Sequence, residues 1–405
     1  METKTIKICF VGDIMCEAIQ IPACEEKPGK YNFMHTFSDI KEYFHSCDYV
    51  IANLETPIAG KEMEYAFEKY SFNAPEDFAL ALKDCGVDLV STANNHCLDR
   101  GVKGLAKTVS FLDKIGIAHI GTYIQKNTNR CFIKKYDDLR IGFMSYTYGT
   151  NAFFNQVYLR KKERYMVNLL QEQELCSFIS RIVYGRYKGI VAKVLRRILI
   201  RTIRRNCGNI YECKERSHRH MKKIRHEVAE LKKHGADFII MYMHAGGQYN
   251  DKPSKYILKL SDRLMSFGIN AIIGNHEHVI HGSDLKKVED GCIKIFSLGN
   301  FSGISGVLNA PFDKRSEYSI LFNLYLSKEN RKVIINKCTF SVMKNILHEK
   351  EKIKTVFLYD LIVACKNHEE KAKLYGDNLW AVNTFCCTKH SDIPLLMEYD
   401  MDRII

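Results

Sequence analysis

The sequence lacks several features that would assign it to a common class of protein. None of its 15 cysteines forms a CxxC pair, and the only close neighbours are Cys386 and Cys387, so neither a disulfide framework nor a zinc finger is indicated. Scattered cysteines of this kind are typical of a reducing compartment, where the free thiol behaves as a small buried hydrophobe. The chain also has no internal repeat and no low-complexity tract.

Long apolar runs are absent as well. No stretch of about 18 apolar residues occurs, so a transmembrane helix is not expected. The first residues, METKTIKICFVGD, lack the basic start and long apolar stretch of a signal peptide. We therefore expect a cytoplasmic protein, with peripheral contact at the inner face of the membrane as the open alternative. With 46% hydrophobic and 26% charged residues, the composition is that of an ordinary globular chain.

The net charge of +13 is concentrated in one segment. Residues 151–235 contain 21 Lys and Arg against 7 Asp and Glu, so this segment carries a net charge of +14 and the remainder is close to neutral. Its most basic part, residues 189–206, has apolar side chains on one helical face and basic side chains on the other. Such a helix either covers the core with its arginines in solvent or lies on an anionic membrane surface. No nucleic-acid motif accompanies it, so a nucleic-acid partner is not expected.

Short β-rich apolar runs recur along the chain, and most are followed by a polar turn and a helical pattern. The predicted strands are Ile6–Val11, Tyr49–Asn53, Leu89–Ala93, Ala118–Ile120, Ile141–Tyr146, Phe238–Met243, Ala271–Ile273 and Ile293–Ser297. The predicted helices are Glu76–Cys85, Gly104–Ile115, Lys214–His234 and Lys255–Phe267. This alternation is typical of α/β layers. Two later runs, Tyr318–Leu326 and Lys332–Val342, follow each other without a helix and predict an antiparallel pair.

Polar residues suited to chemistry come where the predicted strands end. Because the carboxyl ends of strands form the ligand-binding edge of α/β sheets, we expect these side chains to meet there. They are Asp13, Asn53, Glu55, Asn94, Asn95, His96, His244, His276, His278 and Asn300. Histidine and carboxylate ligands suit Zn, Fe or Mn. A pair of such ions can hold a phosphate, and a histidine that binds no metal can protonate the leaving oxygen.

Each of these residues, taken alone, has a plainer structural explanation. Asp13 could cap the next helix, and His244 could be a satisfied histidine of the core. The pair His276 and His278 is the most specific signal, because two histidines at this spacing after an apolar strand and a glycine are unusual. His281 lies close by and is interpreted as a residue that binds no metal. The coincidence of the whole set favours a metal site.

In this order the motifs resemble the CapA family of capsule-synthesis proteins, which is tied to poly-γ-glutamate capsules. The matching segments are Gly12-Asp13-Ile14-Met15, Asn53-Leu54-Glu55, Ala93-Asn94-Asn95-His96 with Asp99 and Gly101, His244 with Gly246-Gly247-Gln248-Tyr249, Gly274-Asn275-His276-Glu277-His278-Val279 and Ser297-Leu298-Gly299-Asn300-Phe301. The resemblance covers roughly residues 6–150 and 236–325. The motifs are short individually but quite specific in this order.

The CapA family is in turn similar to the calcineurin-like metallophosphoesterases, and that likeness implies a fold. It implies a four-layer αββα sandwich over residues 1–345. The basic, helical insert at 151–235 interrupts this domain, and a small helical appendage over 346–405 follows it.

The same likeness implies roles for the site residues. One or two divalent ions, Mn, Fe or Zn, would be held by Asp13, Glu55, Asn95, His244, His276 and His278. His96 would be the catalytic proton donor. Asn53 competes with Glu55 as a ligand, and the substrate-binding or outer residues would be Asn53, Asn94, Tyr249 and Asn300. The chain has Met15 where the phosphoesterases place a histidine, and a thioether is a poor ligand for such ions, so a single or weakly held second metal is an open alternative.

The resemblance predicts a metal-dependent hydrolase or transferase in the synthesis of capsule, poly-γ-glutamate or a related cell-envelope polymer. Its substrate would be an anionic polymer or a phosphoester. Two alternatives remain open at this stage: a non-catalytic, membrane-peripheral accessory protein of capsule assembly that docks through residues 189–206, and a cytosolic phosphodiesterase without an envelope role. The sequence does not indicate an oligomeric state.

Overall fold

The structure is a computed structural model of the chain, and it describes residues 4–17, 19–65, 71–173, 189–191, 193–195, 197–198, 217–287, 291–303, 314–348 and 352–404. In these residues the strands are β1 (Ile6–Ile14), β2 (Glu25–Lys27), β3 (Lys30–Tyr31), β4 (Tyr49–Leu54), β5 (Leu89–Ser91), β6 (Ala118–Ile120), β7 (Phe132–Tyr136), β8 (Leu139–Thr147), β9 (Phe238–His244), β10 (Ala271–Asn275), β11 (Ser283–Lys287), β12 (Cys292–Ile295), β13 (Asn300–Ser302), β14 (Tyr318–Glu329), β15 (Lys332–His348), β16 (Lys352–Phe357) and β17 (Tyr399–Asp400).

The helices are α1 (Gln20–Ala23), α2 (Met34–Phe37), α3 (Lys41–His45), α4 (Glu76–Cys85), α5 (Gly101–Ile115), α6 (Ala152–Asn155), α7 (His218–Lys233), α8 (Lys255–Met265), α9 (Leu358–Ala364), α10 (His368–Cys386) and α11 (Met401–Ile404). Short 3₁₀ turns occupy Lys61–Met63 and Lys314–Glu317. None of the helices in the described parts of the chain is long and apolar enough to cross a membrane.

The strands form two main sheets. The larger has the order β16-β15-β14-β1-β4-β5-β6, with β13 paired to β1 and β17 paired to β15. The smaller has the order β11-β12-β10-β9-β8-β7. The neighbours β1, β4, β5 and β6 are parallel in the first sheet, and β8, β9, β10 and β12 are parallel in the second. Each sheet therefore has a parallel core whose strands end at one edge.

The two sheets pack face to face with helices on both outer sides. Along β1, Ile8 and Phe10 belong to the apolar cluster between the sheets, whereas Cys9 and Val11 belong to the cluster on the helical side of the large sheet. Alternation of this kind follows from the period of two along a strand. α4 and α5 cover the large sheet, while α7 and α8 cover the small one. The predicted four-layer αββα sandwich is confirmed.

The elements predicted from apolar patterns are all present. Ala118–Ile120 and Glu76–Cys85 have their predicted bounds, and the bounds of the others are shifted. β14 and β15 pair antiparallel, as their sequence indicated. The strand β7 and the charged strand β11 were not predicted, because both lie at edges of the small sheet and lack a continuous apolar run.

The approach of β13 to β1 requires Gly12. A β-carbon at this position would lie 1.9 Å from the carbonyl oxygen of Gly299, which accepts the N–H of Asp13 at 3.0 Å.

Gly12→Ala is therefore expected to lower the free energy of unfolding by about 1–3 kcal/mol, the usual cost of overpacking. Chemical denaturation measures it. Gly376→Ala is the control, since nothing lies within 4 Å of its β-carbon position and alanine favours a helix by about 1 kcal/mol. Equal stability of the two variants would contradict the close approach.

The C-terminal segment is part of the large sheet. The boundary expected at residue 345 falls within β15, and β16 and β17 both pair antiparallel with that strand. Leu358 in α9 and Phe385 in α10 belong to the apolar cluster between the sheets. The segment 346–405 is therefore integrated into the sandwich, unlike the small helical appendage expected. The alternating burial of Lys352–Phe357 is the period-two pattern that the helical interpretation overlooked.

Only part of the insert at 151–235 lies within the described residues. The helix expected at Lys214–His234 is present as α7, and residues 157–173 cross the ends of β6 and β8. Most of the basic stretch 189–206 lies outside the described residues. In the described part of that stretch the large apolar side chains are exposed, from 42% for Leu195 to 81% for Ile190.

Candidate metal centre

The polar strand ends of the two sheets converge on one buried place. Asp13 lies near the end of β1, Glu55 directly follows β4, and His244 ends β9. The residues predicted for the site are at most 3% exposed, except Tyr249, which is half-buried. Burial of so many polar groups is costly unless they hold one another or a ligand.

Glu55 is the centre of this group. Its side chain is fully buried, and neither carboxylate oxygen has a hydrogen-bond partner. Burial and the neighbouring carboxylate of Asp13 raise the pKa of Glu55 well above its usual value. An unpaired buried carboxylate is unstable unless a proton or a cation neutralises it. The surroundings of Glu55 therefore fit a bound cation.

Asp13 is better satisfied than Glu55. Its Oδ1 accepts a hydrogen bond from Asn53 Nδ2 at 2.7 Å, and its Oδ2 accepts the backbone N–H of His276 at 3.1 Å. His244 Nδ1 lies 3.8 Å from Oδ1, and His278 Nδ1 lies 3.5 Å from Oδ2. These contacts orient the Asp13 carboxylate toward the histidines.

The histidine nitrogens point toward Glu55 and toward one another. His244 Nε2 lies 3.3 Å from Glu55 Oε1, and His278 Nε2 lies 3.9 Å from the same oxygen. His276 Nδ1 is 3.1 Å from His244 Nε2. Two groups of three residues each bring their ligand atoms within 4.8 Å of one another. One group is Glu55, His276 and His278, and the other is Asp13, Glu55 and His244. Because Glu55 belongs to both, the arrangement could hold one divalent ion or two bridged by this carboxylate.

Two of these imidazoles are neutral near pH 7. Burial lowers the pKa of His244 to about 4, although Asp13 opposes the shift. Burial, with the neighbouring histidines, lowers the pKa of His276 well below its usual value. Neutral imidazole is the form that binds metals, so these residues need not lose a proton first.

His96 has a different environment. Its Nδ1 lies 2.7 Å from Asp99 Oδ2, and its Nε2 lies 3.9 Å from Glu55 Oε1. Burial alone would lower the pKa of His96, but Asp99 and Glu55 outweigh it, so the pKa is raised. The ring packs against Phe72 with a centroid distance of 4.3 Å, and Asp99 also accepts the N–H of Phe72. Asp99 and Phe72 therefore hold His96 beside the carboxylate of Glu55, in surroundings that favour its protonated form.

Asparagine side chains connect the histidines to the large sheet. Asn53 Nδ2 donates to Asp13 and lies 3.2 Å from His244 Nδ1, so its amide is already engaged. Asn95 Oδ1 lies 2.7 Å from His244 Nε2. Asn94 Nδ2 donates to the Leu54 carbonyl at 2.7 Å. Between the competing candidates, the geometry favours Glu55 over Asn53 as a ligand, because the oxygens of Glu55 have no other partner.

The loop after β10 carries backbone strain. His276 and His278 have φ values of 99° and 60°, in the region that favours glycine. Tyr249, also at φ 60°, places its ring 5.7 Å from that of His278. His278 Nδ1 lies 2.8 Å from Asn300 Oδ1. Strain of this kind persists only where surrounding contacts fix it, and it is concentrated at functional sites.

Several residues that contact the site were not predicted as part of it. Asn151 Oδ1 accepts from Asn95 Nδ2 at 3.3 Å, and Asn151 Nδ2 lies 3.5 Å from His96 Nδ1. The ring of Tyr148 is 4.6 Å from that of His276. Asp99 appears in the sequence motif, but its role in holding His96 was not recognised. β8 ends shortly before Tyr148 and Asn151, so the strand-end rule applied to β8 would have found both.

Known proteins that are similar to this chain belong to the family that the order of its motifs indicated. Residues 7–304 match the family described as bacterial capsule synthesis protein PGA_cap. The chain is similar to the capsule biosynthesis protein CapA of Bacillus anthracis, with 22% identity over 304 residues, which are 74% of this chain and 60% of that protein. It is also similar to the PGA biosynthesis protein CapA of Bacillus subtilis strain 168, with 23% identity over 295 residues, which are 72% of this chain and 62% of that protein.

The chain thus spans about 60% of the length of these two relatives. Among solved structures, the calcineurin-like phosphoesterase YfkN of Bacillus subtilis aligns with 84% of this chain and 91% of its own, at 14% identity and a TM-score of 0.42.

Proposed function

Because the chain belongs to the bacterial capsule synthesis family PGA_cap, we propose that it is a metal-dependent hydrolase or transferase in the assembly of a capsule or related cell-envelope polymer. Its substrate would be a phosphoester or an anionic polymer such as poly-γ-glutamate. The observation that carries the proposal is the buried carboxylate of Glu55, which has no hydrogen-bond partner and faces three histidines.

Asp13, Glu55, His244, His276 and His278 are the residues that would hold the ion, and Asn95 would complete the set. A divalent ion held there supplies Lewis acidity toward the substrate and toward the attacking water. Zn, Mn and Fe all accept this mixture of nitrogen and oxygen ligands. The protein would hold these ligands in place from two rigid sheets.

His96 would donate the proton to the leaving group. Its Nε2 faces the carboxylate of Glu55, and its Nδ1 is fixed by Asp99, so the donating nitrogen has one orientation. Burial lowers the pKa of His96, but Asp99 and Glu55 outweigh it, and the raised pKa favours the protonated ring that a proton donor needs. A positioned acid of this kind contributes typically about 10²–10⁴-fold to the rate.

The test is hydrolysis by protein reconstituted with Mn, Zn or Fe(II), assayed on an aryl phosphodiester and on γ-linked oligoglutamate. We expect turnover of at least one substrate that a chelator abolishes and the metal restores. Cleavage of oligoglutamate would support the polymer role, whereas cleavage of the phosphodiester alone would favour a phosphodiesterase without an envelope role.

A second candidate function is non-catalytic docking at a membrane. The exposed apolar side chains of Ile190, Val191 and Val194 favour it, because large apolar groups in solvent are typical of an interaction surface. Protein that takes up no metal and hydrolyses neither substrate, but co-sediments with anionic vesicles at low salt, would contradict the enzyme and support this role.

A further inference from the structure

A cavity outside the metal centre lies between residues 159–173 and the first turns of α7. Its volume is about 380 Å³, within the range of about 300–1,000 Å³ typical of sites for small organic ligands. The charged side chains in its wall are five cations and one carboxylate, namely Arg130, Lys161, Arg164, Arg219, Lys223 and Glu172. No residue of the metal centre lines it.

Most of these cations have no carboxylate at ion-pair distance, although the buried Glu227 interacts electrostatically with Arg130 and Lys223. Glu172 is paired with Arg219 at 2.8 Å. Within the described residues, no carboxylate forms an ion pair with Arg130, Lys161 or Arg164, and none does so with Lys223. Cations that converge on a concave surface without carboxylates create a strong positive potential.

The inner end of the cavity brings two of these cations together. The side-chain oxygen of the buried Asn168 accepts from Arg130 Nη1 at 2.7 Å and from Lys223 Nζ at 2.9 Å. Burial, together with repulsion by the neighbouring Arg130, lowers the pKa of Lys223 to about 8, although Glu227 opposes the shift. His220 Nε2, in the same wall, is buried and has no hydrogen-bond partner. A bound anion would relieve the repulsion.

Part of the remaining wall is apolar. Leu159, Val167 and Leu169 line the cavity and are at most 7% exposed. An inorganic ion would leave this surface in contact with water, whereas an organic ligand would cover it. Four unpaired cations also exceed what a single carboxylate can neutralise. We propose that the cavity is an anion-binding site, separate from the metal centre, for an organic ligand that carries at least two phosphate or carboxylate groups.

Hydrogen bonds connect this cavity to the metal centre. Gln173 in the wall of the cavity donates to Thr150 Oγ1 at 2.6 Å. Asn151, which follows Thr150 in the chain, contacts Asn95 and His96 of the metal centre. A ligand in the cavity would therefore lie close to the metal centre without using its ligands. The proposal does not depend on the metal centre being catalytic.

The test is isothermal titration calorimetry of the chelator-treated full chain at low salt, with ADP and with γ-linked triglutamate as probes. The variant Lys161→Gln/Arg164→Gln removes two exposed cations of the cavity, so the fold should not change. We expect one of the probes to bind, with an affinity that falls about tenfold or more in this variant, as loss of two charge-assisted contacts implies. The probe that binds distinguishes a phosphate ligand from a carboxylate ligand.

The matched control is Lys162→Gln/Lys222→Gln, which removes the same charge from exposed neighbours outside the cavity. The affinity of this control variant for the probe should stay close to that of the wild type. Equal weakening of both variants would indicate general attraction by the basic surface and overturn the site. The proposed anion site would also be overturned if neither probe bound. The same holds if His278→Ala, in the metal centre, abolished binding while the cavity variant did not.

Discussion

Replacing His278 or His276 with alanine is expected to remove the bound metal from the protein. Each imidazole belongs to a buried group of three candidate ligands whose ligand atoms lie within 4.8 Å of one another, so alanine removes one ligand of the three. The affinity for Mn, Zn or Fe(II) should fall by more than about 100-fold, because loss of even an outer partner costs about 10–100-fold. Elemental analysis after reconstitution and gel filtration measures the effect, with one or two equivalents expected in the wild type.

His281→Gln is the control from the same loop. His281 is also buried, but its Nε2 lies 2.7 Å from the Asn250 carbonyl, and it belongs to neither of the candidate groups. This variant should keep the metal of the wild type. Equal metal content in all three variants, or no uptake by the wild type, would contradict the proposed centre.

Glu55→Gln separates loss of metal from loss of fold. It removes the carboxylate shared by both candidate groups and should therefore also abolish metal binding. Without metal it should be more stable than the wild type at pH values where Glu55 ionises, because the amide carries no charge and an unpaired buried charge is costly. Because the folded-state pKa of Glu55 is raised, the wild type loses stability as the pH rises through that value, and the variant does not. The difference in unfolding free energy should hence grow with pH in chelator, as chemical denaturation would measure. A Glu55→Gln variant that is less stable than the wild type in chelator would contradict the unpaired buried charge of Glu55.

The location of the centre could be predicted because it follows from a rule about strand ends. Asp13, His244 and the histidines after β10 all follow apolar runs, and parallel strands bring such positions to one edge. The order in which the strands pair is not contained in these local patterns. β1 lies next to β14, which is more than 300 residues away along the chain, and only the completed sandwich determines this contact.

The partners of the site were harder to predict than its main residues. Asn151 reaches His96 and Asn95 from a left-handed backbone conformation, with φ 49°, in a loop without a strong pattern. The cavity beside α7 depends on Arg130 and Lys223, which are far apart in the sequence and both contact Asn168. Charge counting indicated a basic segment at 151–235, but it did not indicate that Lys223 of this segment would lie beside Arg130, which is outside it.

Replacing His96 with glutamine is expected to slow hydrolysis in a way that depends on the leaving group. A poor leaving group, such as an alkoxide, needs a proton as its bond breaks, so the rate should fall by about 10²–10⁴-fold. A p-nitrophenolate group leaves readily without a proton, so its rate should change little. Comparison of kcat for p-nitrophenyl and alkyl phosphodiesters measures this difference. His226→Gln, which changes an exposed histidine on α7, should leave both rates unchanged.

Asp99→Asn tests the same assignment through pH. Asp99 contacts Nδ1 of His96 at 2.7 Å and helps to raise its pKa above the usual value, against the effect of burial. The acid is active only when protonated, so activity should fall as the pH rises through the pKa of His96. With asparagine at position 99 that pKa is lower, and the decline should begin at a lower pH. If His96→Gln slows both leaving groups equally and Asp99→Asn leaves the pH profile unchanged, then His96 is not the proton donor and its raised pKa has a structural origin.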